Sequence, residues 1–477
     1  MRHPPLKFRT LFNQSMSANL VIDPALIRKY GGRGPRYTSY PTADRFIEAF
    51  DATTYRYWLE HRRGSAGGIS RPLALYVHHP FCDTSCYFCS CHRIVTRDRE
   101  RANVYLDYLG REIRQVAAQL GGDRVLRQMH WGGGTPTFMG IDKLGALMKV
   151  VREEFVLAPG GVFSIEIDPR TVTGDALAQL GELGFNRASF GVQDFNPEVQ
   201  RVINRTQSYE QTLAVMAAAR ASGFKSVRVD LIYGLPRQDV EGFSRTLAQV
   251  IQADPDRIAL YSYTHMPTLI KPQRRIVEAD LPSLEVKLQL LTSAIQQLQA
   301  AGYVYIGMDH FARLDDELAV AQRQGSLQRD FQGYSSADCD TLGVGVSAIG
   351  SIGPVYSQNV KSLEAYFDRL DRDMLPVMCG IELTPDDLVR RAVIRALACH
   401  FVVSKESISI AYLLDFDNYF SAELADLRAL EDDGLVEVDD EWITVTPRGR
   451  LLVRSVCMVF DRYLRNAEQR AHYSMIV

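Results

Sequence analysis

From residue 73 onward, short apolar runs alternate with stretches in which apolar side chains recur every three or four positions. Runs at residues 73–78, 125–131, 162–167, 187–192, 226–233, 257–263 and 303–308 predict strands, and residues 104–120, 144–155 and 284–298 predict amphipathic helices. Strands that alternate with helices build a parallel sheet with crossover connections. Six or seven such units either close into a barrel or stay open as a partial one. In both cases functional groups belong at the carboxyl ends of the strands. The polar residues follow that rule. The first strand runs into a cysteine-rich loop, and the second ends at His130-Trp131 before Gly132-Gly133-Gly134-Thr135-Pro136. Glu166 and Asp168 close the third on one face, and Gln193 closes the fourth. Asp230 shares a face with Arg228 in the fifth; Tyr263, Thr264 and His265 end the sixth, and Asp309 and His310 the seventh.

The flanks have different patterns. Residues 1–22 contain no acid and carry Arg2, Lys7 and Arg9, which suits an organelle-targeting peptide or a disordered extension with Met16 as a second start. The extension is the expectation here. Asp23 and Pro24 predict the start of a helix to Tyr30, followed by a glycine- and proline-framed loop over residues 31–42. Beyond Gly380, helices are predicted from Thr384 to about His400, over 406–414 and over 418–430. A hairpin at 435–438 and 442–445 and a last helix over 448–465 follow. The expected division is an extension (1–22), an N-terminal arm (23–70), a barrel (71–310), a barrel extension (311–380) and a mostly helical, winged-helix-like domain (381–477). Winged helices usually bind nucleic acid, but this one carries Asp426, Glu431, Asp432, Asp433, Glu437, Asp439, Asp440 and Glu441, so a lid or substrate-shaping role is expected.

Composition adds little: 46% apolar and 23% charged residues with a net charge of −3 give no basic footprint for nucleic acid. No apolar run is long enough to span a membrane. Four of the eight cysteines, however, lie within ten residues: Cys82, Cys86, Cys89 and Cys91. Such clustering suits a reducing compartment, and the cytoplasm is expected. Thiolates at the Cys-x-x-x-Cys-x-x-Cys spacing can hold three irons of a cubane cluster and leave the fourth open. Half a zinc site, Cys86 and Cys89 with His92, is the plainer reading, but Cys339, Cys379, Cys399 and Cys457 offer no second ligand pair.

The cysteine spacing resembles the signature of radical S-adenosylmethionine enzymes. The resemblance implies a partial (β/α)6-type, TIM-like α/β barrel. It also implies a [4Fe-4S] cluster on Cys82, Cys86 and Cys89 whose open iron binds S-adenosylmethionine. On that reading Gly132 to Gly134 offer backbone to the methionine ammonium, and Glu166 and Asp230 suit the ribose hydroxyls. Gln193 and Arg205 suit the sugar and the carboxylate. Further segments narrow the likeness: residues 35–42 (Pro-Arg-Tyr-Thr-Ser-Tyr-Pro-Thr), 76–82, 190–194, 203–205, 230–236, 307–311 and 331–334. They resemble the oxygen-independent coproporphyrinogen III oxidases from about Ala25 to the end of the chain.

That family resemblance implies that a 5′-deoxyadenosyl radical takes a hydrogen from a propionate β-carbon of coproporphyrinogen III. Loss of carbon dioxide and an electron then leaves a vinyl group. Two propionates react and two S-adenosylmethionines are consumed, giving protoporphyrinogen IX in haem biosynthesis. It also implies one cofactor site at Tyr76, Gly133, Glu166 and Ile349. Further contacts, including a second S-adenosylmethionine, fall to Phe88, Gly134, Thr135, Gln193, Arg205, Asp230, Phe331 and Gln332. A low-potential electron donor such as flavodoxin or ferredoxin is implied, and a monomer is expected. The chain departs from the family pattern at His79, where an aliphatic residue is usual, and at Thr264, where alanine is usual; Thr264 stays among the cofactor-site candidates. Arg36, with its neighbour Tyr37, is the candidate for gripping a substrate carboxylate, because a guanidinium fork binds carboxylates in bidentate fashion. A related haem-carrying chaperone shares the barrel and cysteine loop but typically has an aromatic residue at the position of Cys91 and lacks the 35–42 arm.

Overall fold

The computed structural model describes residues 20–62, 71–464 and 473–476. Six parallel strands stand side by side in chain order: β1 (Leu73–His79), β2 (Val125–Gly133), β3 (Val156–Ile167), β4 (Arg187–Gln193), β5 (Ser226–Tyr233) and β6 (Arg257–Ser262). Crossover helices return the chain each time, as the sequence pattern predicts: Arg99–Gln119, Ile141–Glu154, Gly174–Glu182, Tyr209–Ala221 and Val240–Gln252. Most start where a short oxygen-bearing side chain satisfies a first-turn amide, as Asp98, Thr173, Ser208 and Asp239 do. Leu75, Val77, Met129, Trp131, Ile165, Phe190, Val229 and Leu260 are all buried in one core under these helices.

The sheet is wider than the strand runs alone predict. The run at 303–308 forms β7 (Tyr303–Gly307), but β8 (His310–Arg313) pairs antiparallel with both β6 and β7 and separates them. A tight reversal at Met308, whose φ is +51°, folds β8 back into that position. On the other side of β1 lies β9 (Asp340–Val344), parallel and in register from Leu73↔Asp340 to Val77↔Val344. Strands β10 (Ile349–Ile352), β11 (Val355–Asn359) and β12 (Val377–Glu382) extend that edge antiparallel. The partial barrel therefore belongs to a twelve-stranded sheet.

The C-terminal region has the expected winged-helix-like elements with shorter pieces. Helix Pro385–His400 starts with a capping box between Thr384 and Asp387. Strand Trp442–Val445 pairs with Val436–Val438 on one side and Val402–Ser404 on the other, so the hairpin gains a third strand. The expected 418–430 helix is split into Phe416–Tyr419 and Ser421–Asp432. The expected 448–465 helix is a 3-10 turn, Arg450–Leu452, followed by Val453–Val459. It stops because the chain turns at Asp461, whose carboxylate accepts from Tyr463 N (2.9 Å). The greater part of the 1–22 extension lies outside the described residues.

The N-terminal arm is built into this framework. Asp23 caps helix Pro24–Tyr30. Arg62, buried, pairs with Asp340 (2.8 Å) at the start of β9 and with Asp123 (2.5 Å).

One buried carboxyl ties helix Arg99–Gln119 to the β9 edge. Glu112, 1% exposed, accepts from Gly345 N (2.7 Å), Asn359 Nδ2 (2.6 Å) and the Tyr366 hydroxyl. Burial pushes it up to about 7 against those bonds. The native protein thus keeps a proton that the unfolded chain releases near pH 4.5, and stability contributed by this group falls as pH rises from there to 7. Glu112→Gln removes that dependence. Between pH 4.5 and 7.5, wild type should lose ~3 kcal/mol relative to the variant, read from urea melts at the two pH values.

Candidate active site

β1 delivers the chain to the cysteine loop, and a two-residue parallel pairing of Phe81–Cys82 with Ile94–Val95 closes it. Inside, the Arg93 guanidinium donates to the carbonyls of Cys89 (2.7 Å) and Cys86 (2.9 Å) and to Ser85 Oγ (3.3 Å). From the β4 side, Ile203 O accepts from Tyr87 N (3.0 Å) and Asn204 Nδ2 donates to Ser85 O (2.9 Å). Held from both sides, Cys82, Cys86 and Cys89 line a cavity of about 790 Å³ at the carboxyl ends of the strands. None is in a disulfide. Among the described residues, no three His, Cys, Asp or Glu side chains converge closely enough to hold a single metal ion. Cys91 lies at the exposed rim of the same cavity.

The glycine edge packs onto this loop. Gly134 N donates to His79 O (2.6 Å) and Thr135 N to Phe81 O (2.9 Å). Gly133 has φ +109°, and a Cβ there would lie 2.4 Å from the His78 ring, so only glycine lets this backbone edge the cavity. Glu166 accepts from Gly133 N (3.0 Å) and faces His130 Nε2 (3.4 Å), while His130 Nδ1 meets Ser164 Oγ (2.6 Å). Burial alone would raise the Glu166 carboxyl. The contacts with His130, Arg228 and the Gly133 amide outweigh it and hold the group down at about 2.

Other side chains meet the cavity with unused bonding capacity. Arg205 is pinned by Asp168 (3.2 Å), Gly191 O (2.6 Å) and Cys86 Sγ (3.7 Å), yet its buried Nε has no partner among the described residues. Gln193, at φ +68°, likewise buries an unpartnered Oε1. Buried polar atoms usually find a partner in protein or ordered water, so both side chains keep bonding capacity to spare. Asp230 pairs with Arg228 (2.9 Å) and accepts from Ser189 Oγ (3.1 Å). Arg36 lines the cavity and pairs with Asp309 (2.7 Å). Phe88, Gly133, Gly134, Thr135, Glu166, Gln193, Arg205, Asp230 and Thr264 all line it as well.

The remaining candidates lie elsewhere. Tyr76 and Gln332 line an adjoining cavity of about 100 Å³ with a mixed polar and apolar lining, which shares Ser189 and Arg228 with the main one. Phe331 borders a crevice of about 30 Å³ and meets Tyr356 edge-on at 6.0 Å. Ile349 begins β10 and is not on the main wall. Tyr37 is buried away from the cavity, its hydroxyl donating to Asp461 (3.0 Å). His79 is fully buried with its ring 5.2 Å from that of Trp131, and burial pushes its imidazole down to about 3, so it serves as a neutral packing group.

Three features escaped the sequence. Arg93 lies two residues after Cys91, and a cation so close to four cysteines was the available signal. Gln273, 1% exposed, donates to Phe88 O (3.3 Å) and Thr264 O (3.1 Å). Ser474 lines the cavity from the far end of the chain. Arg454, buried, explains how it gets there: it donates to Pro35 O (2.8 Å), Gly34 O and Met475 O (3.1 Å), tying the N-terminal arm to residues 473–476.

Comparison with known proteins agrees with this geometry. Residues 76–250 match the radical SAM superfamily model, and residues 383–452 match the HemN C-terminal domain model. Oxygen-independent coproporphyrinogen III oxidase of Salmonella typhimurium is 48% identical over 456 residues, which cover 95% of this chain and 98% of that protein. The enzyme of that name from Pseudomonas aeruginosa is 47% identical over 458 residues, covering 95% and 98%. The solved structure of Escherichia coli coproporphyrinogen III oxidase (HemN), described as a radical SAM enzyme, matches with a TM-score of 0.88 at 46% identity, over 94% of this chain and 100% of that one. With the three-thiol loop, the glycine edge and the strand-end polar groups gathered on one cavity, the chain belongs to the oxygen-independent coproporphyrinogen III oxidase family of radical SAM enzymes.

Proposed function

We propose that this protein decarboxylates coproporphyrinogen III oxidatively without oxygen, turning two propionate side chains into vinyl groups and yielding protoporphyrinogen IX. The observation that carries this reading is the shared cavity: three free thiols, a backbone edge without side chains and unpartnered buried polar atoms meet at the strand ends. Cys82, Cys86 and Cys89 would hold a [4Fe-4S] cluster. Bound together with S-adenosylmethionine, it would supply the radical chemistry that takes a hydrogen atom from a propionate β-carbon.

The chain's own residues bind, orient and exclude. Gly133 and Gly134 let backbone carbonyls approach an ammonium group. Glu166, fully ionised near neutral pH, accepts hydrogen bonds from ribose hydroxyls. Arg205 Nε and Gln193 Oε1 supply the missing donor and acceptor for a carboxylate and a sugar. A second S-adenosylmethionine would share the main cavity of about 790 Å³, because the adjoining one of about 100 Å³ at Tyr76 and Gln332 is too small to hold it.

Arg36 receives a substrate carboxylate, with Asp309 holding the guanidinium in place beforehand. The arm and residues 473–476 cover the mouth and keep water from a reactive site. A low-potential carrier protein supplies the electron, the chain acts as a monomer, and a reducing, cytoplasmic setting suits the free thiols.

Anaerobic product analysis tests the reaction: the reconstituted protein should form 5′-deoxyadenosine and protoporphyrinogen IX from coproporphyrinogen III. Cys82→Ala, Cys86→Ala and Cys89→Ala should each abolish iron and sulfide incorporation, whereas Cys91→Ala should keep about four of each per chain, measured by chemical analysis. Arg36→Ala should raise the KM for coproporphyrinogen III by roughly 10- to 100-fold with little change in S-adenosylmethionine affinity, and Arg36→Lys should fall between. Unchanged substrate affinity in Arg36→Ala would remove that residue from the substrate site.

A further inference from the structure

Tyr87 and Phe88 stand between two of the three thiols, and both are gripped by one short turn, Lys271–Arg275. Arg275 donates to the Tyr87 hydroxyl (3.2 Å) with its guanidinium carbon 5.3 Å from the ring centre. Gln273, buried in the same turn, donates to Phe88 O and accepts from Met266 N. Ile276 packs with Tyr87, Phe88, Ile203 and Leu235 in one small apolar cluster. The buried side of this turn is therefore in direct contact with the cysteine loop.

Its outer side is basic, on a chain whose net charge is −3. Lys271, Arg274 and Arg275 are exposed within five residues, and no acid occurs from 269 to 277. The nearest following acids are Glu278 and Asp280, and Asp280 is paired with Arg237 (3.1 Å). Flanking the cations are two large apolar side chains in water, Leu269 at 67% and Val277 at 60% exposure. The exposed leucine and valine stand at the two ends of the run of cations. Cations bounded by exposed apolar side chains offer a partner both charge pairing and apolar area.

We propose that Lys271, Arg274 and Arg275, with Leu269 and Val277, form the docking surface for a small acidic flavoprotein that reduces the site. Acidic groups around an exposed flavin match the cations, and the apolar dimethylbenzene edge of the flavin matches Leu269 and Val277. Contact there brings the carrier beside Tyr87 and Phe88. One electron passes, the flavin is oxidised by one electron, the cluster is reduced by one, and no atom is transferred. The patch is small and charge-steered, as in weak electron-transfer encounters. The inference rests on the proposed role of Cys82, Cys86 and Cys89 as cluster ligands.

The test uses the reconstituted full-length protein and flavodoxin as the probe. At low salt, Lys271→Glu combined with Arg274→Glu should weaken flavodoxin binding by roughly 10-fold or more and flatten its salt dependence. Leu269→Asp should also weaken binding, without touching a contact to the cysteine loop. In both variants, iron content and dithionite-driven 5′-deoxyadenosine formation should match wild type, while the rate of cluster reduction by flavodoxin falls. Unchanged flavodoxin affinity in both variants, or no measurable binding by wild type, overturns the proposal. Tighter binding of a ferredoxin to the same surface overturns the choice of a flavoprotein. Absence of dithionite-driven cleavage in wild type would instead overturn the functional reading, so the two failures can be told apart.

Discussion

A single guanidinium inside the cysteine loop sets the geometry on which the site depends. Arg93 reaches back across the loop to the carbonyls of Cys86 and Cys89, holding the backbone of two thiols at once. Ten residues of irregular chain would otherwise be free to collapse or to pair their sulfurs. Because the donors are charged and the acceptors are backbone, the hold is on position and leaves the thiols available. Arg205 completes it from the loop beyond β4, touching Cys86 Sγ while anchored by Asp168 and Gly191.

The same economy of contacts links the loop to the sheet. β1 and β2 run in register to His79↔Gly133, so the glycines arrive beside the first cysteine without a connecting element of their own. Glu166, at the end of β3, then locks the Gly133 amide. Three adjacent strand ends thereby place thiols, bare backbone and a carboxylate on one wall, and parallel register is what aligns them. Packing beneath, from Trp131 and Phe81, makes the wall rigid.

Much of this was legible in the sequence because it repeats a local rule. Strand runs followed by polar residues predicted the first six strands, and the cavity gathers the groups those strands end in. What the sequence did not disclose depends on contacts between distant segments. β9 is short and glycine-bearing, and only its pairing with β1 makes it a member of the sheet. β8 looks like part of a strand-end motif until Met308 reverses the chain. Tyr37 sits next to Arg36, but a positive φ of 46° turns it into the Asp461 contact and out of the cavity. Ser474 has no motif at all; Arg454 brings its segment into place.

That last arrangement bears on how the protein matures. Pro35 and Met475 accept hydrogen bonds from one side chain although they stand 440 positions apart. A chain emerging from the ribosome forms β1 to β6 and the thiol loop long before residue 474 exists. Throughout that interval the thiol-bearing wall lacks the contacts that Arg454 later makes between the arm and residues 473–476. Assembly order is thus written into the connectivity: the pocket is furnished first and roofed afterwards.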